Sequence, residues 1–165
     1  MRLLVLAILA ALLIYCLLEG RAHRRLLRAI PIRVLVNGTR GKTTTTRLIH
    51  AGLAQNGIKA YAKSTGSEAM TLDESLNAVP MARKTSYVSV GEVIAFMREA
   101  ARHGVKAVVV ECMAVRPDLQ KSLARSLLKP THTVLLNDYV DHVAAMGTAF
   151  RLSSRVIASE PVDLA

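Results

Sequence analysis

Tryptophan is absent from the 165-residue chain, and aromatic residues make up only 4% of it. That leaves too few rings for a platform on which single-stranded nucleic acid stacks. Cysteine is nearly as scarce. Cys16 and Cys112 stand far apart in unlike local sequences, so they form neither a disulfide framework nor a metal-ligand spacing. This usage fits a reducing, cytosolic compartment for most of the chain. The length leaves room for one domain and excludes a large multidomain enzyme, unless the chain is a piece of one. What the chain has in quantity is apolar surface, at 52%, which excludes a disordered tail. It also has basic charge: 22 Lys and Arg against 12 Asp and Glu, a net charge of +10.

Much of both excesses lies at the amino end. Residues 3–18 read LLVLAILAALLIYCLL, with no charge, glycine or proline. As a helix this run spans about 24 Å, a little short of a hydrocarbon core of about 30 Å. Arg2 and Glu19 at its ends can snorkel outward to close the gap. A cleaved signal peptide is the rival, but no small-x-small site adjoins the run. Before it stands only Arg2, and after it come Arg21, Arg24, Arg25, Arg28 and Arg33. The positive-inside rule therefore places the following domain in the cytoplasm. Residues 1–36 carry six Arg and one Glu, a net +5 and half of the chain's +10. The basic segment reads as a membrane-surface flank, and no nucleic-acid partner is expected. The expected division is an apolar anchor over 1–20, a basic juxtamembrane linker over 21–31, a globular domain over 32–147 and a divergent tail over 148–165.

From Pro31 the pattern changes. Val34, Leu35 and Val36 form a short aliphatic run that predicts a buried parallel strand. It enters Asn37-Gly38-Thr39-Arg40-Gly41-Lys42-Thr43-Thr44, then a helical stretch closed by Gly57. Strand, glycine turn and helix are the context of a phosphate-binding loop. Gly38 and Gly41 admit backbone N–H groups close to phosphate oxygens, and the helix start favours an anion. Lys42 can reach the outer phosphates, and the Thr43 hydroxyl is a Mg²⁺ ligand type. The spacing departs from the general pattern, because only two residues separate Gly38 from Gly41. A plain turn before an amphipathic helix is the bland alternative.

Strands and helices continue to alternate. Residues 58–62 predict a strand, 67–88 a long loop with one helical turn, and 92–103 an amphipathic helix. Residues 105–110 predict the most apolar strand, which delivers Glu111 at its carboxyl end. A helix is predicted over 117–128 and a strand over 133–136, ending at Asn137 and the loop that holds Asp141 and His142. This succession predicts an α/β fold with a mainly parallel sheet, whose ligands sit outside the strands' carboxyl ends. Glu111 is the candidate metal-holding carboxylate, with Thr43 as a second ligand; pairing with a local base such as Lys106 is the alternative. His142, ordinarily a structural or exposed residue type, gains a functional reading from its place after a strand. Cys112 reads as a small buried residue.

These residues carry a resemblance. Gly38-Thr39-Arg40-Gly41-Lys42-Thr43 resembles the shortened phosphate loop of the Mur ligases and folylpolyglutamate synthetases. Within that group the chain is most similar to the CapB/PgsB subunits of bacterial poly-γ-glutamate synthases. The similarity rests on the amino-terminal apolar run, Val36 to Lys42, Glu111-Cys112-Met113-Ala114-Val115-Arg116-Pro117-Asp118, and Asn137 followed by Asp141-His142 and Met146-Gly147. It implies a Mur ligase-like central domain and an ATP-dependent amide ligase that activates a glutamate carboxylate as an acyl phosphate. It also implies ATP and Mg²⁺ as cofactors, with Asn37 to Thr44 around the nucleotide and Lys42 neutralising phosphates. Thr43, Glu111 and His142 would hold metal, and Lys42, Glu111 and His142 would be catalytic. The implied partners are glutamate, the growing polymer and a polytopic membrane subunit, with the chain a single-pass protein of a bacterial cell membrane. The family carries a further Asp where this chain has Ala144, and its subunits are more than twice as long, which implies a C-terminal truncation. The alternative is a membrane-tethered nucleotide-binding module without ligase activity. A small GTPase is disfavoured, because no Asn-Lys-x-Asp guanine reader follows any strand.

Overall fold

The structure is a computed structural model and describes residues 1–65, 69–81, 90–113 and 117–137. In chain order these form α1 (Arg2–Ala29), β1 (Ile32–Asn37), α2 (Lys42–Gln55), β2 (Ala60–Ser64), β3 (Met70–Leu72) and β4 (Ala78–Pro80). Then follow α3 (Val90–Arg102), β5 (Ala107–Glu111), α4 (Pro117–Ser122), a π-helical turn (Leu123–Leu128) and β6 (His132–Leu135). The fold is the expected mixed α/β: one six-stranded sheet in the order β4-β3-β2-β5-β1-β6, parallel except for its hairpin edge.

The sheet order explains where a ligand can sit. From β1 the chain crosses through α2 to β2, beyond β5 on one side. From β5 it crosses through α4 to β6, beyond β1 on the other. The crossovers diverge at the carboxyl ends of β1 and β5, which opens a crevice there. Alternation along each strand feeds two cores. Val34, Val36, Ala62 and Val109 face Ile49 and Leu53 of α2. Leu35, Val108 and Val110 face Phe96 and Met97 of α3, Leu128 of the π-helical turn and Leu27 of α1. Cys112 is buried, as its type suggests.

Three elements differ from expectation. The second strand runs two residues further than predicted, because register with β5 pairs Lys63 with Val110 and carries a lysine into the sheet. Lys63 is 1% exposed there, with Nζ 3.2 Å from Glu92 Oε2 of α3; such burial is rare for an unpaired lysine. The segment predicted as a loop holds the β3–β4 hairpin. Its three-residue strands are too short to show a period, and the register comes from β2, where Ala62 pairs with Leu72. The turn is tied by Asp73, whose carboxylate accepts from the N–H groups of Ser75 and Asn77 and from the Asn77 amide. Desolvation opposes the Asp73 charge, but those hydrogen bonds prevail and hold its pKa below the ordinary value.

The third difference concerns residues 21–29, expected as linker. They continue α1 without a break, and Leu26 and Leu27 join the core of the domain. Arg33, expected as a membrane-surface charge, points inward. Its Nε donates to Leu128 O and Lys129 O at 3.0 and 2.9 Å, and its Nη1 to Leu27 O and Ile30 O at 2.9 and 2.7 Å. These are carbonyls that helix ends leave unsatisfied, and a cation there meets the negative end of the helix dipole. Burial lowers the Arg33 pKa from its ordinary value. Beyond this clamp the amino-terminal part of α1 stands apart, and the 28-residue helix is long and apolar enough to cross a membrane.

Candidate functional site

The glycine loop joins β1 to α2 at the crevice. Gly38 has φ 141°, and a Cβ there would stand 3.1 Å from Leu136 Cβ and 3.2 Å from Asn137 N and O. Gly41 has φ 83° and precedes the first residue of α2. Both values lie where side chains are strained, so glycine is required. Two asparagines hold the loop. Asn37 Oδ1 accepts from Gly38 N at 2.8 Å. Asn137 Oδ1 accepts from Thr39 N and Arg40 N at 2.8 and 3.0 Å, while its Nδ2 donates to Arg40 O. Three successive loop N–H groups are therefore satisfied within the protein. The donors left for an anion are the first N–H groups of α2, which have no intrahelical carbonyl. Lys42 lies over the same place, its Nζ donating to Gly38 O at 2.8 Å and Thr39 O at 3.1 Å.

Glu111 faces this loop from the end of β5. It is 4% exposed, and the Thr43 hydroxyl reaches both its oxygens at 3.1 Å. Thr65 N, just past β2, donates to Oε2 at 2.9 Å. Among the described residues no cation pairs with this carboxylate. Lys106, the alternative partner, precedes β5 at the strand's opposite end. A buried charge with neutral donors alone is costly unless a cation joins it. The hydroxyls of Ser64 and Thr65 are also buried here without a hydrogen-bond partner among the described residues.

A carboxylate and hydroxyls are hard oxygen donors, the set that suits Mg²⁺ with its retained waters and phosphate oxygens. No group of three or more His, Cys, Asp or Glu occurs among the described residues, so a closed structural zinc site finds no ligands there. The residues present thus fit a magnesium ion shared with a phosphate.

Of the residues singled out in the sequence, Asn37, Gly38, Thr39, Arg40, Gly41, Lys42, Thr43 and Glu111 come together at the crevice. Thr44, the third residue of α2, is exposed, and its side chain makes none of these contacts. His142 and Asp141 lie outside the described residues. Sequence reasoning did not select Thr65 or Gln120. Thr65 follows a strand and precedes Gly66, the same signal that marked the first loop. Gln120 is buried and accepts from Asn37 Nδ2 at 3.4 Å; nothing in its neighbours along the chain announces that role. Asn137 was noted as a strand end but not as the clamp of the loop.

Known proteins resemble this chain over the same region. The Mur ligase middle domain matches residues 36–152. PGA synthase CapB of Bacillus subtilis (strain 168) is 39% identical over 139 residues, covering 84% of this chain and 35% of that protein. Capsule biosynthesis protein CapB of Bacillus anthracis is 36% identical over 140 residues, covering 82% of this chain and 30% of that one. The chain thus spans about a third of the length of these curated relatives. Mur ligases are ATP-dependent and generally magnesium-dependent enzymes. The glycine loop, the strand-end glutamate and strands β2 to β6 fall within the matched region, which begins near the carboxyl end of β1, and the chain belongs to the Mur ligase family through its middle domain.

Proposed function

We propose that this chain carries the ATP-binding site of an amide ligase that extends poly-γ-glutamate for a bacterial capsule. The observation that carries the reading is the buried Glu111 carboxylate, held by Thr43 and Thr65 at the mouth of the glycine loop with no cation among the described residues. In the reaction a glutamate carboxylate oxygen attacks the γ-phosphorus of ATP, and ADP leaves. The amine of a second glutamate attacks the resulting acyl phosphate, phosphate leaves, and the amine loses a proton.

The chain's own residues supply position and charge for this chemistry. Lys42 exchanges the carbonyls of Gly38 and Thr39 for phosphate oxygens. The first N–H groups of α2 meet the same phosphates. Thr43 and Glu111 would hold Mg²⁺, with His142 as a further ligand, and the ion supplies neutralisation of the charge that develops on the transferred group. Asn37 and Asn137 fix the loop so that these donors are aligned beforehand. The apolar part of α1 spans a cell membrane once, with the domain on the cytoplasmic side. A polytopic partner subunit then exports the polymer, and glutamate and the growing chain are the other partners.

The test is ADP formation by membranes carrying this chain, with Mg²⁺-ATP, with and without glutamate, beside Lys42→Ala. Glutamate-stimulated ADP formation that falls about a thousandfold in the variant is the expected result. Nucleotide binding without glutamate-stimulated turnover overturns the ligase reading and leaves a tethered nucleotide-binding module.

A further inference from the structure

A groove of about 540 Å³ lies between the lower part of α1 and α3, on the far side of the sheet from α2. Its floor is apolar, made by Leu26, Ile94, Ala101 and Leu127. Its rim carries Arg25, Arg98 and Arg102 against the single carboxylate of Glu19. Arg98 Nη2 reaches Glu19 Oε2 at 3.2 Å, so the wall from α3 is tied to the last turn above the groove. His23 Nε2 binds Ser126 O at 3.0 Å and fastens the opposite wall. Arg25 is exposed and makes no hydrogen bond or ion pair to any described residue. Arg102 is exposed too and spends one guanidinium nitrogen on Glu99 of its own helix.

Position gives this cavity its meaning. The apolar run ends at Leu18, and Glu19, the first polar residue, is already part of the groove. Arg25 stands seven residues below Leu18, about 10 Å along the helix. Headgroup layers are about 5–8 Å thick on each side of the hydrocarbon. A hydrocarbon core of about 30 Å centred on the run of about 24 Å extends about 3 Å past Leu18, so Arg25 lies about 7 Å beyond its edge, at the level of the phosphates. None of the apolar window of α1 above it is buried by protein.

We infer that this groove binds the headgroup of an anionic phospholipid. The phosphate meets the arginine rim, and the glycerol end and first methylenes rest on the apolar floor. The inference relies on the proposed membrane span of α1. An acidic polymer shares the charge but has no use for the apolar floor.

The full chain, purified in mild detergent, is titrated with phosphatidylglycerol or phosphatidylcholine and followed by native mass spectrometry. Phosphatidylglycerol is expected to bind at least about tenfold more tightly. In the double variant Arg25→Gln, Arg102→Gln its affinity falls about fivefold for each charge removed. That variant leaves the Glu19–Arg98 pair intact, so it does not disturb the packing of α1 on α3. Equal retention of the two lipids overturns the inference, as does a double variant that binds like the parent. Displacement of phosphatidylglycerol by an equal concentration of glycerol 3-phosphate identifies a soluble phosphate as ligand and overturns it. Displacement by a glutamate oligomer identifies an acidic polymer and does the same. Alkaline carbonate extraction separates the two readings. Release of the chain from membranes sinks the span itself, whereas retention without lipid preference sinks only the groove.

Discussion

The two ends of the paired strands β1 and β5 are both polar, and they treat charge in opposite ways. At the amino end Arg33 is enclosed by four carbonyl oxygens from two helix termini and a connecting turn. At the carboxyl end Glu111 is enclosed by a hydroxyl and an amide N–H, with two further hydroxyls nearby that find no partner among the described residues. The first arrangement is complete within the protein and holds elements together. The second has no cation among the described residues, and that is the feature on which the proposed Mg²⁺ site rests. Arg33 is half-buried and Glu111 buried, but the count of satisfied partners is what separates a clamp from a binding place.

The comparison can be broken at either end. Lys42→Ala should give the largest effect, the loss of about three orders of magnitude in ADP formation described above, with the circular dichroism spectrum unchanged. A variant that unfolds would show Lys42 to be part of the scaffold. Arg33→Met should do the reverse. Leaving four carbonyls without their donor should cost about 2–4 kcal/mol in chemical unfolding, while the Mg²⁺ midpoint of any folded fraction stays at the parent value. An unchanged urea midpoint would remove the clamp from the account.

Glu111→Gln sharpens the contrast. The substitution should raise the Mg²⁺ concentration needed for half-maximal turnover about tenfold, because one negative ligand is lost. Stability should hold or improve, since a buried charge without a cation has been removed. A Mg²⁺ titration that superimposes on the parent's would count against the metal site. The smallest effect belongs to the hairpin turn. Asp73 has a folded pKa below its ordinary 3.8, so its contribution is complete well above that pH and is lost as pH falls through the folded value. Urea midpoints of the parent and Asp73→Asn should converge between pH 6 and pH 3; a constant gap would refute the assignment.

The first loop was legible because every signal it needs is local. An aliphatic run, two glycines and a helical period occupy consecutive positions from Val34 to Gly57, and the structure places them as read. Glu111 was legible for the same reason, as a lone carboxylate ending an apolar strand. The β3–β4 hairpin was not, since three-residue strands take their register from β2 and carry no pattern of their own. Arg33 was misassigned because its charge matches the membrane-flanking arginines before it. Only the three-dimensional meeting of α1, the π-helical turn and β1 sets it apart. Lys63 escaped notice because its neutraliser, Glu92, lies 29 positions away.

The unbroken course of α1 has a mechanical meaning. From Leu18 to Ala29 the helix continues for about 16 Å with no glycine-rich or proline-bearing joint, and its lower end is cemented into the sheet. Wherever its apolar part is embedded, the domain cannot swivel beneath it as a tethered ball would. A change in bilayer thickness that tilts the helix must lean the whole domain by the same angle. A membrane around α1 would thereby become a set-screw for the direction in which the crevice faces.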